Sequence, residues 1–479
     1  MNNLLVSKKI GLFVGPLLFL LFISVPIVNL SFEASAVIAC ASWMIIWWIT
    51  EAVSISATSL LPLILFPMSG VMDVNDVGAN YGSSIVFLFF GGFVLALGLE
   101  KVNLHRRIAL TIIKKTGTTP NKVILGFMIA TASMSMWISN TASTVVMLPI
   151  AISVIHLLTN ENKNPNKNQK NFALSVMLGI AFSANAGGIA TVIGTPPNSV
   201  LIGLLESEYQ IQISFVKWMM IGLPFALILI AIIYVVIVHW IFPTKDLQFK
   251  TSNNVIDEEL KKLGSISPRE KQVLFVFVII VFLWIFRTTI NSIFPFLKLS
   301  DTTISIIGAL ALFAIPVNLK KGEFILKWED TQKLSWGILI LFGGGLALAK
   351  GMSSTGIVSL ITNFIADGNF SVPLTASLLI ILMLFMTELM SNVALISLLA
   401  PVVAGIAIGL EIPILYLLIP VTIASSCAFI LPMATAPNAI VFASGFVKVH
   451  EMARIGIIIN CISVLILILL FRFGIPLVF

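Results

Sequence analysis

The chain has 479 residues, 58% hydrophobic and only 10% charged, with a mean hydropathy of +1.07. Soluble proteins carry about a quarter charged residues, so this composition excludes a soluble fold and points to helices that each span a bilayer with roughly 20 apolar residues. No ten-residue segments of alternating polarity mark a barrel, and the net charge of +7 lies in loops beside apolar runs, which is not a nucleic-acid footprint.

In chain order, Lys8 and Lys9 precede an apolar run at 10–30, longer than the core of a cleavable signal and read as a retained first span. Spans follow at 34–50, 53–68 and 84–100. The first of these holds the aromatic segment Trp43 to Trp48, read as an interfacial belt, and Glu51 follows it as a helix-end charge near the cytoplasmic interface. The stretch 122–158 is too long for one helix and is interrupted by Ser135-Met136-Trp137-Ile138-Ser139-Asn140-Thr141. It reads as a re-entrant hairpin. The next span, 172–204, is broken at Ile193-Gly194-Thr195-Pro196-Pro197-Asn198. After 218–242 comes a charged segment, 243–271, read as a solvated loop, and then spans at 271–294, 302–317 and 335–352. A second hairpin at 373–409 is interrupted by Thr387-Glu388-Leu389-Met390-Ser391-Asn392-Val393. The span 413–444 is broken at Met433-Ala434-Thr435-Ala436-Pro437-Asn438, and 455–476 is last. Cys40, Cys427 and Cys461 lie in apolar segments, read as small core residues.

The two halves are in register. Ser135 and Thr387, Ser139 and Ser391, and the pairs Phe90-Gly91-Gly92 and Phe342-Gly343-Gly344 are each 252 positions apart, while Thr195 and Thr435 are 240 apart. A polar insertion at Glu161 to Lys170 accounts for ten of the twelve residues of difference. Eleven spans with two non-crossing hairpins place 23 of the 28 Lys and Arg residues on one side, which the positive-inside rule makes cytoplasmic. The chain is therefore expected in the cell (inner) membrane as a multi-pass protein, N-terminus cytoplasmic and C-terminus outside. The first hairpin then opens inward and the second outward. Paired, interrupted segments in inverted repeats are the sequence mark of a secondary transporter's binding site.

The chemistry of the breaks agrees. Ser135, Ser139 and Asn140 at one tip, and Thr387 and Asn392 at the other, offer hydroxyl and amide oxygens where backbone groups are also freed. Such ligands, with no carboxylate among them, suit Na⁺ better than Ca²⁺. Gly and Pro break the opposing helices, whose free ends offer carbonyls to a cation and positive N-termini to an anion. With no Lys or Arg in either motif, an anion depends on those dipoles and on bound cations, so coupled transport follows. Glu388 either titrates or pairs with a backbone group or with Lys350; its counterpart in the first copy is Met136. No motif of a membrane-embedded enzyme is present, and the expectation is a carrier, not an enzyme.

These residues resemble the divalent anion:sodium symporter family, which holds bacterial dicarboxylate carriers and animal citrate and sulfate carriers. The resemblance rests on Ser139-Asn140-Thr141, on Trp48-Ile49-Thr50-Glu51-Ala52, and on Ser425 to Ala434 continuing to Asn438 and Val441. It covers essentially the whole chain. It implies an all-α integral membrane protein of about 11 transmembrane helices plus two re-entrant hairpins in an inverted repeat, working as a homodimeric elevator-type carrier. The scaffold is then 1–115 and 271–368, the transport domain 116–242 and 369–479, and the cytoplasmic loop 243–270. One sodium ion is implied at Ser135, Ser139, Asn140 and Gly194, and a second at Thr387, Met390, Asn392 and Ala434. The substrate would meet Asn140, Thr141, Thr195, Pro196, Asn392, Val393, Thr435 and Ala436. Val393 departs from a full Ser-Asn-Thr and removes one hydroxyl. The function implied is sodium-coupled import of C4 dicarboxylates such as succinate, malate or fumarate. A citrate or sulfate symporter, a dicarboxylate exchanger and, from another class, an ion channel are the alternatives.

Overall fold

The computed structural model describes residues 2–25, 30–117, 119–159, 166–244, 252–368 and 370–479. Parts of the first span, of the polar insertion and of the 243–270 segment lie outside these. The first half comprises α1 (Asn2–Ser24), α2 (Phe32–Thr50), α3 (Ile55–Thr58), α4 (Leu61–Met68), α5 (Val74–Tyr81), α6 (Ser84–Lys101) and α7 (Leu104–Thr116). It continues with α8 (Pro120–Ser135), α9 (Asn140–Thr159), α10 (Lys167–Ile189), α11 (Pro196–Tyr209) and α12 (Phe215–Tyr234), which ends in a π-helical stretch Val235–Ile241. The second half has α13 (Ser252–Leu263), α14 (Pro268–Ile293), α15 (Asp301–Ala314), a small antiparallel pair β1 (Pro316–Asn318) and β2 (Glu323–Phe324), α16 (Trp336–Ser354) and α17 (Ile357–Asp367). Last come α18 (Val372–Met386), α19 (Asn392–Gly409), α20 (Ile414–Ser425), α21 (Ala436–Ala443), α22 (Val449–Leu469) and α23 (Ile475–Val478).

Among the described residues, nine helical stretches are long and apolar enough to cross a membrane, and six more apolar helices are shorter. The shorter ones include the hairpin arms and half-helices, which sequence periodicity merges with their neighbours. One expectation changes. The 243–270 segment is not only a solvated loop, since α13 is an amphipathic helix packed on α7. The aromatic segment Trp43 to Trp48 packs on neighbouring elements. Trp43 packs on Phe19 of α1 at 5.5 Å, Trp47 donates to Gly11 O at 3.1 Å, and Trp48 is 1% exposed.

The centre of the fold is α10, in which every residue from Asn171 to Ile189 is buried. It packs on α8, α9, α12 and α21, while α20 packs on α11, α18, α19 and α22. Around this body run α14, α15 and α6 on one flank and α1–α5, α16 and α17 on the other. Phe89 of α6 meets Phe342 of α16 edge-on at 4.9 Å. The repeated Gly-Gly pairs sit where helices approach too closely for a side chain: a Cβ on Gly91 would lie 2.7 Å from the Ser305 backbone of α15.

The polar helices α7 and α13 are clamped by charge. Arg106 pairs with Glu259, Lys114 with Asp257 at 2.7 Å, and Arg107 with Glu270 at 2.6 Å while also donating to Gly264 O and Leu263 O. Glu270 closes a capping box with Ser267 at the start of α14. The hydrogen bond from Lys262, helped by Arg106, holds the Glu259 carboxyl below its usual range. Its contribution to stability is therefore present above the ordinary carboxylate pKa and fades as pH falls through the lower folded value.

The glycine contact gives a direct test. Gly91→Ala is expected to lower stability by about 1–3 kcal/mol through overpacking. Gly78→Ala, whose Cβ meets nothing within 4 Å, should be neutral or stabilising. Thermal unfolding of the purified variants measures both, and equal melting temperatures would contradict the packing described.

Candidate functional site

Four helices begin at one cavity of about 700 Å³. Asn140 opens α9, Pro196 opens α11, Asn392 opens α19 and Ala436 opens α21, and all four residues line it. Each N-terminus presents a partial positive charge to it. Prolines at the first turns of α11 and α21 fix helical φ where no donor is lost. No Lys or Arg lines the cavity, and its one charged lining residue, Glu51, sits in a left-handed C-cap of α2 with its side chain 62% exposed, 3.7 Å from Lys8.

Below each hairpin tip, oxygens converge. Ser135 Oγ lies 2.5 Å from Asn140 Oδ1 and donates to Ala184 O at 2.7 Å. That end of the Asn140 amide is also 3.3 Å from Ala184 O and from Gly194 O. With the oxygen inward, four oxygens form a cradle fitted to a cation. With the amide turned over, its two N–H hydrogens face these three acceptors and close the cradle without an ion. In the second copy Thr387 Oγ1 lies 2.7 Å from Asn392 Oδ1 and donates to Ser425 O at 2.6 Å. The copies thus repeat hydroxyl and amide at matching positions, with a carbonyl one residue apart in the register.

The broken segments are held open by amides. Asn198 Nδ2 donates to Gly188 O, Ile189 O and, at 2.8 Å, to Thr191 O. Asn438 Nδ2, 240 positions on, donates to Ala428 O and Leu431 O at 3.1 and 3.2 Å. Hairpin and broken segment are also latched together in both halves, with the chemistry exchanged. In the first, the Thr191 hydroxyl donates to the Met136 carbonyl at 2.6 Å. In the second, Glu388, the counterpart of Met136, accepts from the backbone N–H of Phe429, Ile430 and Leu431 at 2.8–3.0 Å, and from Asn460 Nδ2 at 2.8 Å. Leu431 is the counterpart of Thr191. Glu388 is 4% exposed, and four donors on two oxygens fit a carboxylate in a structural latch. Of the alternatives left open for Glu388, pairing with backbone groups is the one observed.

The chain matches the family described as "Sodium:sulfate symporter transmembrane region" over residues 6–479. A sodium-dependent dicarboxylate transporter of Staphylococcus saprophyticus, SdcS, is 39% identical over 478 residues, 98% of this chain and 92% of that protein. SdcS of Staphylococcus aureus strain USA300 is 39% identical over 483 residues with the same coverage. The chain belongs to this divalent anion:sodium symporter family. It is a multi-pass membrane transporter and not an enzyme. Among solved structures, the Alcanivorax borkumensis YdaH transporter is similar at 12% identity, covering 84% of this chain and 88% of that one with a TM-score of 0.54, a likeness of fold alone.

In this family member the residues singled out from sequence lie together. Ser139, Asn140, Thr141, Gly194, Thr195, Pro196, Met390, Asn392, Val393, Ala434, Thr435 and Ala436 all line the one cavity, with Ser135 and Thr387 buried beneath it. Ser139 turns its hydroxyl to Ala142 N at 3.1 Å. Sequence reasoning missed Ala184, Thr191 and Asn460, and above all Asn185, a lone amide in an apolar run. Trp48, Phe93 and Ile338 complete the wall from the surrounding helices.

Glu388→Gln places an amide nitrogen against backbone donors. It is expected to destabilise the protein by about 2–3 kcal/mol or more, since hydrogen bonds to charged groups are worth ~1.5–3 kcal/mol. Melting of the purified variant reports this, and a wild-type melting temperature would remove the latch.

Proposed function

We propose that this protein carries C4 dicarboxylates such as succinate, malate or fumarate into the cell together with sodium ions, by an elevator movement. The observation that carries the reading is the convergence of four helix N-termini and two oxygen cradles on one cavity without a basic residue. Sodium ions are held by Ser135, Ser139, Asn140 and Gly194, joined by Ala184 O, and by Thr387, Met390, Asn392 and Ala434. The dianion lies between Asn140, Thr141 and Thr195 on one side and Asn392 and Thr435 on the other, walled by Pro196, Val393 and Ala436. The staphylococcal relatives support both sodium and the dicarboxylate class.

The Asn140 amide supplies a route for coupling. A cation draws Oδ1 into the cradle and leaves Nδ2 as a donor toward the cavity. Without the cation, the turned amide shows the cavity an acceptor oxygen, which repels a carboxylate. Cation and anion therefore favour one amide orientation, and each raises the other's affinity by the same factor.

The scaffold comprises 1–115 and 271–368, the moving domain 116–242 and 369–479, and the protein works as a homodimer. With the N-terminus cytoplasmic, Lys8 and Glu51 mark an inward-facing mouth. In a background lacking the three cysteines, single cysteines at the exposed Thr119 and Asn166 should be labelled only from inside, and at Ser371 and Glu411 only from outside. Labelling of Thr119 and Asn166 from opposite faces would overturn the re-entrant hairpin.

Proteoliposomes test the transport itself with labelled succinate, malate, fumarate, citrate and sulfate. Succinate uptake should follow an inward Na⁺ gradient, and Asn140→Ala and Asn392→Ala should each nearly abolish it. Full uptake with choline in place of Na⁺ refutes coupling. Preference for sulfate or citrate moves the assignment to those substrates, which the missing hydroxyl at Val393 would help explain.

A further inference from the structure

We infer that Asn185 is a positioning residue that makes the Thr435 hydroxyl an obligate hydrogen-bond donor to the anionic substrate. This rests on the site proposed above. Asn185 lies on α10, in the first half, and is 1% exposed. Its amide nitrogen reaches across to the second half, to Thr435 Oγ1 at 3.1 Å and to Ala428 O and Asn438 Oδ1 at 3.3 Å. Ala428 O can only accept, so the nitrogen end faces that way. Two amide hydrogens serve three acceptors, and Thr435 is the nearest.

Thr435 is the N-cap of α21, and its Oγ1 already accepts from Asn438 N at 3.3 Å. A hydroxyl has two lone pairs and one proton. Asn438 and Asn185 occupy both lone pairs, so the proton alone is free, and Thr435 faces the cavity. A carboxylate only accepts, so this hydroxyl suits an anion and not a donor ligand.

The first half has no such arrangement. Thr195 makes no cap hydrogen bond, and Ser425, which stands ten residues before Thr435 as Asn185 stands before Thr195, donates to Thr422 O at 2.7 Å. The bridge therefore serves only the half in which Val393 replaces the motif threonine and leaves fewer hydroxyls for the substrate. Asn185 Oδ1 is buried with no partner among the described residues, a cost borne while the nitrogen stays on Thr435.

The test is a double-mutant cycle on Na⁺-driven uptake of the anion that wild-type protein prefers from the panel above. Hydrogen bonds to charged groups are worth roughly tenfold or more in affinity. Asn185→Ala should raise KM about tenfold with a smaller change in kcat. Thr435→Val should do at least as much, and the double variant should be no worse than Thr435→Val alone. Asn185→Asp, which offers only acceptors, should be worse than Asn185→Ala. A residue that merely packs would instead lower the melting temperature and the amount of active carrier without moving KM. An unchanged KM in Thr435→Val, an unchanged KM in Asn185→Ala, or effects that multiply in the double variant would each overturn the inference. The Thr435→Val arm stands even if the Asn185 variants fail to fold. Wild-type protein that takes up none of the anions overturns the functional reading itself, a result distinct from any of these.

Discussion

Helices that break inside a bilayer free backbone groups that no water reaches, and each unpaired group there costs several kcal/mol. The rest of the structure depends on how those groups are met. Asn198 and Asn438 each gather the carbonyls of one broken segment. With the carbonyls gathered at the back, the helix starts can turn their positive ends to the cavity. The same step brings the Gly194 carbonyl beside Asn140. Site and fold are therefore one arrangement: remove the amides and there is neither a broken helix nor a place for a ligand.

Duplication supplied the frame, and divergence altered what fills it. Phe182 of the first half packs on Phe429 of the second at 5.2 Å, joining the two broken segments near the centre. The latch between Met136 and Thr191 is neutral, a hydroxyl to a carbonyl. Its counterpart between Glu388 and Leu431 is charged, a carboxylate to an amide. Since charged hydrogen bonds are roughly twice as strong as neutral ones, the second latch is the stronger of the two. The cavity lining differs too, with Thr141 in the first copy and Val393 at the matching position of the second.

Much of this was legible in the chain because ion and substrate chemistry demands particular residue types. Ser-Asn and Thr-x-Pro-Asn stand out against apolar surroundings, and their common register marked the helix breaks that meet at the cavity. The elements that escaped are of two kinds. Helices α7, α13 and α17 are short and amphipathic, so a hydropathy window averages their two faces into apparent loop. Asn185 and Glu388 were visible as polar residues in apolar runs, but their roles depend on partners 250 and about 40 positions away. Nothing local says whether a buried carboxylate will meet a lysine or three consecutive amides.

The Glu388 carboxylate has one more consequence, which concerns membrane voltage. It is bound by four donors from its own surroundings, so in the elevator movement proposed it goes with the site. In the elevator cycle proposed, it is a fixed negative charge that crosses part of the electric field with every stroke, loaded or empty. A full elementary charge moved across 100 mV is worth about 2.3 kcal/mol. The return of the empty carrier is then not electrically silent: a cytoplasm-negative potential pushes this charge outward and so favours resetting the carrier toward the outside, where substrate and sodium are collected.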